Sequence, residues 1–176
     1  MKEISKARVI QSQSVKAVMN ELEIMKKVQG CASTAKLHYA FQDKANLYLV
    51  MDLLKGGDLF YHLKHNGYKF SMEVTKFFVA CMLQGLEGIH GQNIVHRDIK
   101  PENLVFDSQG YLFLTDFGLS HIAAATVKRD SNGTASCMAP EIIQRKTRGL
   151  ASDFYSVGVI AYVCMQGRFP YNGNIV

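Results

Sequence analysis

His96-Arg97-Asp98-Ile99-Lys100-Pro101-Glu102-Asn103 is followed, thirteen residues beyond Asn103, by Asp116-Phe117-Gly118. The apolar stretch between them is broken by Asp107-Ser108-Gln109-Gly110, which predicts a tight hairpin with an acid-bearing loop at each end. Two polar loops therefore face one point. Phosphoryl transfer asks little covalent work of a protein: an oriented hydroxyl, oxygen ligands for a cation, and a positive charge beside the transferring group. Asp98, Asn103, Asp116 and Lys100 are residues of those kinds. Each piece alone would pass for a solvated loop, and Asp-Phe-Gly by itself is common by chance; the joint spacing carries the reading.

Upstream, Val15, Val18, Met19, Leu22, Met25 and Val28 recur at helical spacing, with Ser14 as cap and Gly30 as stop. Glu21 lies at the edge of that stripe, where a carboxylate needs a cationic partner. Leu37 to Phe41 and Asn46 to Leu54 read as strands around Gln42-Asp43-Lys44-Ala45, the second too continuously apolar to be half exposed. A short helix from Leu59 to Lys64 follows. From Ser71 to His90 the residues Val74, Phe77, Phe78, Cys81, Met82, Leu86 and Ile89 mark a long helix with a wide buried face, delivering the chain to Ile94-Val95. Ser152 to Met165 predicts an almost wholly apolar helix, opened by Asp153 and broken at Gly167.

The 176 residues, 48% hydrophobic and 20% charged, suit a well-buried domain and argue against disorder. No apolar run approaches the roughly 18 residues that span a bilayer. Lys2, Glu3, Lys6 and Arg8 stand where a signal peptide would need an apolar core, so a cytosolic or nuclear protein without a transmembrane segment is expected. The net charge is +5 and the pI near 9.0, yet the basic residues are scattered in short pairs without interleaved aromatics, which argues against specific nucleic-acid binding. Cys31, Cys81, Cys137 and Cys164 lack paired close spacing and read as free thiols. His62 and His65 read as a solvated helix face.

Taken together, the Asp98 and Asp116 loops resemble the catalytic loop and metal-binding loop of eukaryotic protein kinases, and the chain is most similar to the cAMP-dependent (AGC) group of serine/threonine kinases. The resemblance implies ATP and Mg²⁺ as cofactors. It makes Asp98 the residue that orients the attacking hydroxyl and accepts its proton, and Lys100 the neutraliser of the γ-phosphate and a mark of Ser/Thr substrates. Asn103 and Asp116 become the metal ligands. A lysine nineteen residues before Glu21 would contact the ATP phosphates, and that position is Lys2; the plainer reading of Lys2 is a frayed terminal residue. Backbone groups of Asp52 to Leu54 would hold the adenine, with Met51 behind it and Val105 beneath. Asp58 would approach the ribose and a basic substrate residue, or simply cap the following helix.

The same resemblance gives Arg97 a partner in a phosphorylated activation segment, residues 119–140. Thr134 would touch the catalytic acid and lysine. Counting back four from Thr134 gives Asp130, a stand-in for phosphate, or Ser131 if the segment is one residue longer. Glu141 would pair with an arginine that this chain does not contain. Asp153 would tie its helix to the catalytic-loop backbone, with ordinary N-capping as the alternative. Met25, Leu37, His96 and Phe117 would stack as a column joining two lobes, although a plain core reading predicts nearly the same burial. Ala135-Ser136-Cys137-Met138 departs from the family's usual Pro-Glu-Tyr-Leu, which leaves substrate docking open.

The expected fold is α+β, a partial two-lobe kinase fold: residues 1–54 a partial small lobe and 55–176 a partial large lobe. No Gly-x-Gly-x-x-Gly loop precedes Lys2 and no helices follow Val176, so the expectation is a chain truncated at both ends, poor at binding ATP and unstable alone. The expected activity is transfer of the ATP γ-phosphate to protein Ser/Thr hydroxyls by a monomeric unit, on substrates with basic residues near the acceptor. The alternative is a catalytically impaired, pseudokinase-like binding module. A small-molecule phosphotransferase would share the acids but not Gly133-Thr134 and Ala139-Pro140-Glu141.

Overall fold

The computed structural model describes residues 1–123, 134–144 and 149–171; Asp130 and Ser131 lie outside the described residues. Three antiparallel strands, β1 (Lys2–Ser5), β2 (Leu37–Gln42) and β3 (Asn46–Met51), form a sheet in the order β1-β3-β2. Lys2 faces Leu49 in this register.

Between β1 and β2 run α1 (Lys6–Gln11) and α2 (Val15–Lys27). The sequence pattern missed α1, because six residues are too few for a helical period to register. Its presence changes the start of α2. Ser14 makes no side-chain cap; its hydroxyl turns back to the Val9 carbonyl and to Ser12 Oγ, at 3.4 and 2.7 Å. The buried face is also rotated from the expected stripe. Glu21, Ile24, Met25 and Val28 are buried, whereas Val15 and Met19 are exposed. Only the later turns of α2 share a buried cluster with Leu37 and Leu49 of the sheet, and the earlier ones follow directly on α1.

β3 ends at Met51, three residues short of the expected Leu54; the Asp52 N–H still donates to the Lys36 carbonyl, and residues 53 and 54 lie outside the sheet. Its apolar run suggested full enclosure, yet only Leu49 is buried. On β2, Tyr39 and Phe41 are exposed, and Phe41 stacks on Tyr48 at 4.9 Å. Every β2 residue after Leu37 is exposed, so the sheet meets the core chiefly through Leu37 and Leu49.

The remaining elements are mainly helical. They are α3 (Leu59–His65), α4 (Met72–Gly91), the ladder of β4 (Ile94–Val95) with β7 (His121–Ile122), the hairpin β5 (Leu104–Phe106) to β6 (Leu112–Leu114), α5 (Pro140–Ile143) and α6 (Ala151–Gln166). Ser71 caps α4 by accepting the Val74 N–H at 3.3 Å. Met82, Leu86 and Ile89 are at most 1% exposed, and burying each such side chain contributes about 1.5–3 kcal/mol. Val74 and Phe77, expected inside, are exposed; Phe77 packs instead on Tyr111 beyond the hairpin turn, with ring centroids 5.6 Å apart.

The hairpin forms as its turn residues require. Asp107 Oδ1 accepts the N–H groups of Gln109 and Tyr111 at 2.8 and 2.9 Å. The loop leaving β3 docks on β5: Gly56 N–H donates to the Phe106 carbonyl and Phe106 N–H to the Gly57 carbonyl, both at 2.8 Å. A Cβ at Gly56 would lie 2.5 Å from the Phe106 Cβ, so only glycine permits this approach. All four cysteines are free and buried. Among the described residues no helix is long and apolar enough to cross a membrane.

Candidate active site

The backbone of the Asp98 loop is held from below by one carboxylate. Asp153, in the first turn of α6 and 1% exposed, accepts the His96 N–H at 2.8 Å and the Arg97 N–H at 2.9 Å. His90, from α4, bonds the same carboxylate at 2.8 Å. Two helices thus fix one loop, and Asp153 acts on that loop instead of capping its own helix, which has no side-chain cap. Arg97 and Asp116 both sit in the left-handed region, at φ +73° and +59°. For non-glycine residues such backbone costs about 1–3 kcal/mol and persists only where surrounding structure imposes it.

Above that anchor, Asp98 is 7% exposed and its oxygens are divided among three partners. Oδ2 meets Lys100 Nζ at 2.7 Å and accepts from Asn103 Nδ2 at 3.0 Å, while Oδ1 accepts the Thr134 hydroxyl at 3.0 Å. Burial alone would raise the Asp98 pKa, but the Lys100 and Thr134 hydrogen bonds, the Lys100 charge and the Asn103 bond together hold it below the usual aspartate value. The converse holds for Lys100. Burial opposes its charge, yet Asp98, then Glu102 and Asp116, raise its pKa above the usual lysine value. His96 is wholly enclosed, and burial outweighs its acidic neighbours and lowers its pKa, so the ring is neutral and bonds the Thr115 carbonyl through Nε2 at 3.2 Å.

Beside this cluster lies a cavity of about 420 Å³. Lys2, Glu21, Asp52, Leu54, Val105 and Asp116 line it, together with Met1, Met25, Ala35, Met51, Leu53, Thr115 and Phe117. Lys2 Nζ is 2.6 Å from Glu21 Oε1 and 3.8 Å from Asp116 Oδ1, so it stands between a buried acid and an exposed one. Thr115 joins cavity and cluster, donating its N–H and its hydroxyl to the Asn103 carbonyl at 2.9 and 3.0 Å. Its place directly before Asp116 was the available signal, passed over in the sequence. His90 was likewise missed, since nothing in its own helix marks it as a partner of Asp153.

The other candidates fall outside the cavity lining. Asp58 caps α3, accepting the Tyr61 N–H at 2.7 Å. Arg97 borders a small hollow with Met138, Ile142 and Ser156 under α5. Glu141, expected as a buried charge, is only half buried. Met25, Leu37, His96 and Phe117 are all buried, and the His96 and Phe117 rings lie 5.3 Å apart.

The residues present suit a magnesium nucleotide. The cavity is apolar at Ala35, Met51, Leu54 and Val105 and cationic at Lys2, with a size in the range of small-molecule sites. Among the described residues no three of His, Cys, Asp or Glu gather as a metal cage. An amide and one carboxylate suit Mg²⁺, which usually keeps waters and substrate phosphates as its other ligands.

Sheet, helices, acid cluster and cavity are those of the two-lobe kinase class. A family model described as protein kinase domain matches residues 1–175, and the chain belongs to that family. Its relatives include a probable serine/threonine-protein kinase of Dictyostelium discoideum, 43% identical over 97% of this chain and 38% of that protein. Ribosomal protein S6 kinase alpha-1 of Homo sapiens is 41% identical over 79% of this chain and 19% of its own length. Serine/threonine-protein kinase 32C of Homo sapiens is 37% identical over 98% and 36%. The chain thus spans at most 38% of the length of these relatives. Protein kinases as a family use ATP with Mg²⁺ and act on protein substrates.

Proposed function

We propose that this chain is a serine/threonine protein kinase domain, transferring the ATP γ-phosphate to a Ser or Thr hydroxyl of a protein. The observation that carries this is the Asp98 carboxylate, shared by Lys100, Asn103 and Thr134 beside a nucleotide-sized cavity. Asp98 orients the acceptor hydroxyl and takes its proton. With its pKa held low it is a weak base, so most of its effect is positional. Lys100, kept protonated, offsets charge on the transferring group. Lys2, steadied by Glu21, holds the α- and β-phosphates, and the backbone of Asp52 to Leu54 holds the adenine over Val105. Asn103 spends its amide nitrogen on Asp98, leaving its amide oxygen, with Asp116, for Mg²⁺. When bound, Mg-ATP supplies the phosphoryl group and part of the charge neutralisation.

The finer assignments follow from the same reading. We assign residues 1–54 to the small lobe and 55–176 to the large lobe. Asp58, through the oxygen its cap does not use, and Glu102 favour substrates with basic residues near the acceptor. Arg97, Asp130 or Ser131, and Thr134 tune the activation segment, while Glu141 and Asp153 are structural. Every residue named comes from one chain, so a monomer suffices, and free buried thiols suit a cytoplasmic or nuclear setting. The test is transfer of labelled phosphate from ATP to basic Ser/Thr peptides. Wild type should label them and Asp98→Asn should lose at least about 10²-fold in kcat. Equal labelling by both proteins, or none by wild type, would refute the assignment.

A further inference from the structure

β2 and β3 pair residue for residue except at one point. Leu37 faces Met51 and Tyr39 faces Val50, two steps along one strand against one along the other, so His38 is an extra residue. Such a bulge takes a side chain off the pleat and aims it elsewhere, often beside a functional site. Here the imidazole Nε2 lies 2.7 Å from Asp52 Oδ1. The carboxylate can only accept, so Nε2 carries the proton. Asp52 Oδ2 accepts the Lys36 N–H, and the Asp52 N–H donates to the Lys36 carbonyl, each at 3.0 Å. Three bonds therefore fasten the first residue after β3, which borders the 420 Å³ cavity, to residues 36–38.

We propose that His38 is a positioning residue for nucleotide binding: the bulge presents its imidazole to Asp52, and that bond holds residues 52–54 in the conformation that receives the adenine. This rests on the nucleotide site proposed above. The His38 side chain is half exposed and stands outside the cavity lining; it lowers the ordering cost that binding would otherwise carry. A bond that served stability alone would change the melting temperature and leave affinity untouched.

The experiment measures Mg-ADP affinity and melting temperature for wild type, His38→Leu, His38→Gln, Asp52→Ala and the His38→Leu/Asp52→Ala double variant. Losing this one half-exposed hydrogen bond should weaken binding about threefold to tenfold in His38→Leu. The melting temperature should barely move. His38→Gln, whose amide nitrogen can stand near the position of Nε2, should restore most of the affinity. The double variant should be no worse than Asp52→Ala, because both changes remove the same bond. Wild-type affinity in His38→Leu, or additive losses in the double variant, overturns the positioning role while leaving the nucleotide site intact. Failure of wild type itself to bind Mg-ADP removes the site, and the role of His38 with it.

Discussion

Asp98 and Lys100 hold each other in their charged forms, and this gives their contribution to stability a defined sign with pH. The folded pKa of Asp98 is depressed, so its contribution is present above the unfolded value, near 3.8, and is lost as pH falls through the lower folded value. Chemical denaturation of wild type and Asp98→Asn across pH 2.5–7 should therefore show wild type more stable at neutral pH and the two curves converging below about pH 4. A gap of constant size would mean that the carboxylate is not held ionised by its partners. Lys2 and Glu21 behave differently, because Glu21 is buried and Lys2 is 40% exposed. Removing the lysine alone leaves a buried acid without its cation. Lys2→Met should lower the melting temperature, and Lys2→Met/Glu21→Leu should recover most of it, since replacing both members of such a pair is often neutral.

At the level of elements, the Asp98 loop is tied to α6 through the Asp153 side chain. Asp153→Ala would leave the His96 and Arg97 N–H groups and His90 without their acceptor. Each buried donor left unsatisfied costs about 1–3 kcal/mol, so the variant should show a lower urea midpoint at unchanged slope, with a fall in kcat. The loop leaving β3 makes a comparable demand, and Gly56→Ala should destabilise because its Cβ meets β5 at 2.5 Å. These elements differ in how plainly the sequence announced them. The β5–β6 hairpin was legible from its Asp and Gly turn, and α4 from its period and its Ser71 cap. By contrast, α1 was too short to show a period, and the α2 stripe did not reveal that Val15 and Met19 are exposed. β3 looked enclosed because an apolar run does not say whether a layer covers its second face. Asp98, Lys100, Asn103 and Thr134 were readable as a set because three of them lie within six residues and their spacing is rigid. His38, His90 and Thr115 were not, since a bulge and a contact across 63 residues leave no local pattern.

For the molecule as a whole, a ligand that binds only the folded chain must stabilise it. Mg-ADP at about 100 times its Kd should add about 2.7 kcal/mol, seen as a rise in melting temperature that depends on Mg²⁺. No rise at saturating nucleotide would contradict a nucleotide site on this chain. The four buried cysteines supply an independent reporter. Burial pushes the Cys137 thiol up to about 11 and that of Cys164 up to about 12, so neither is a thiolate at neutral pH while the fold is closed. One sits behind α2, one within α4, one before α5 and one within α6. An alkylating reagent applied during gentle warming would thus mark each region at the moment it comes apart, and the order of tagging would chart the route by which the architecture is lost.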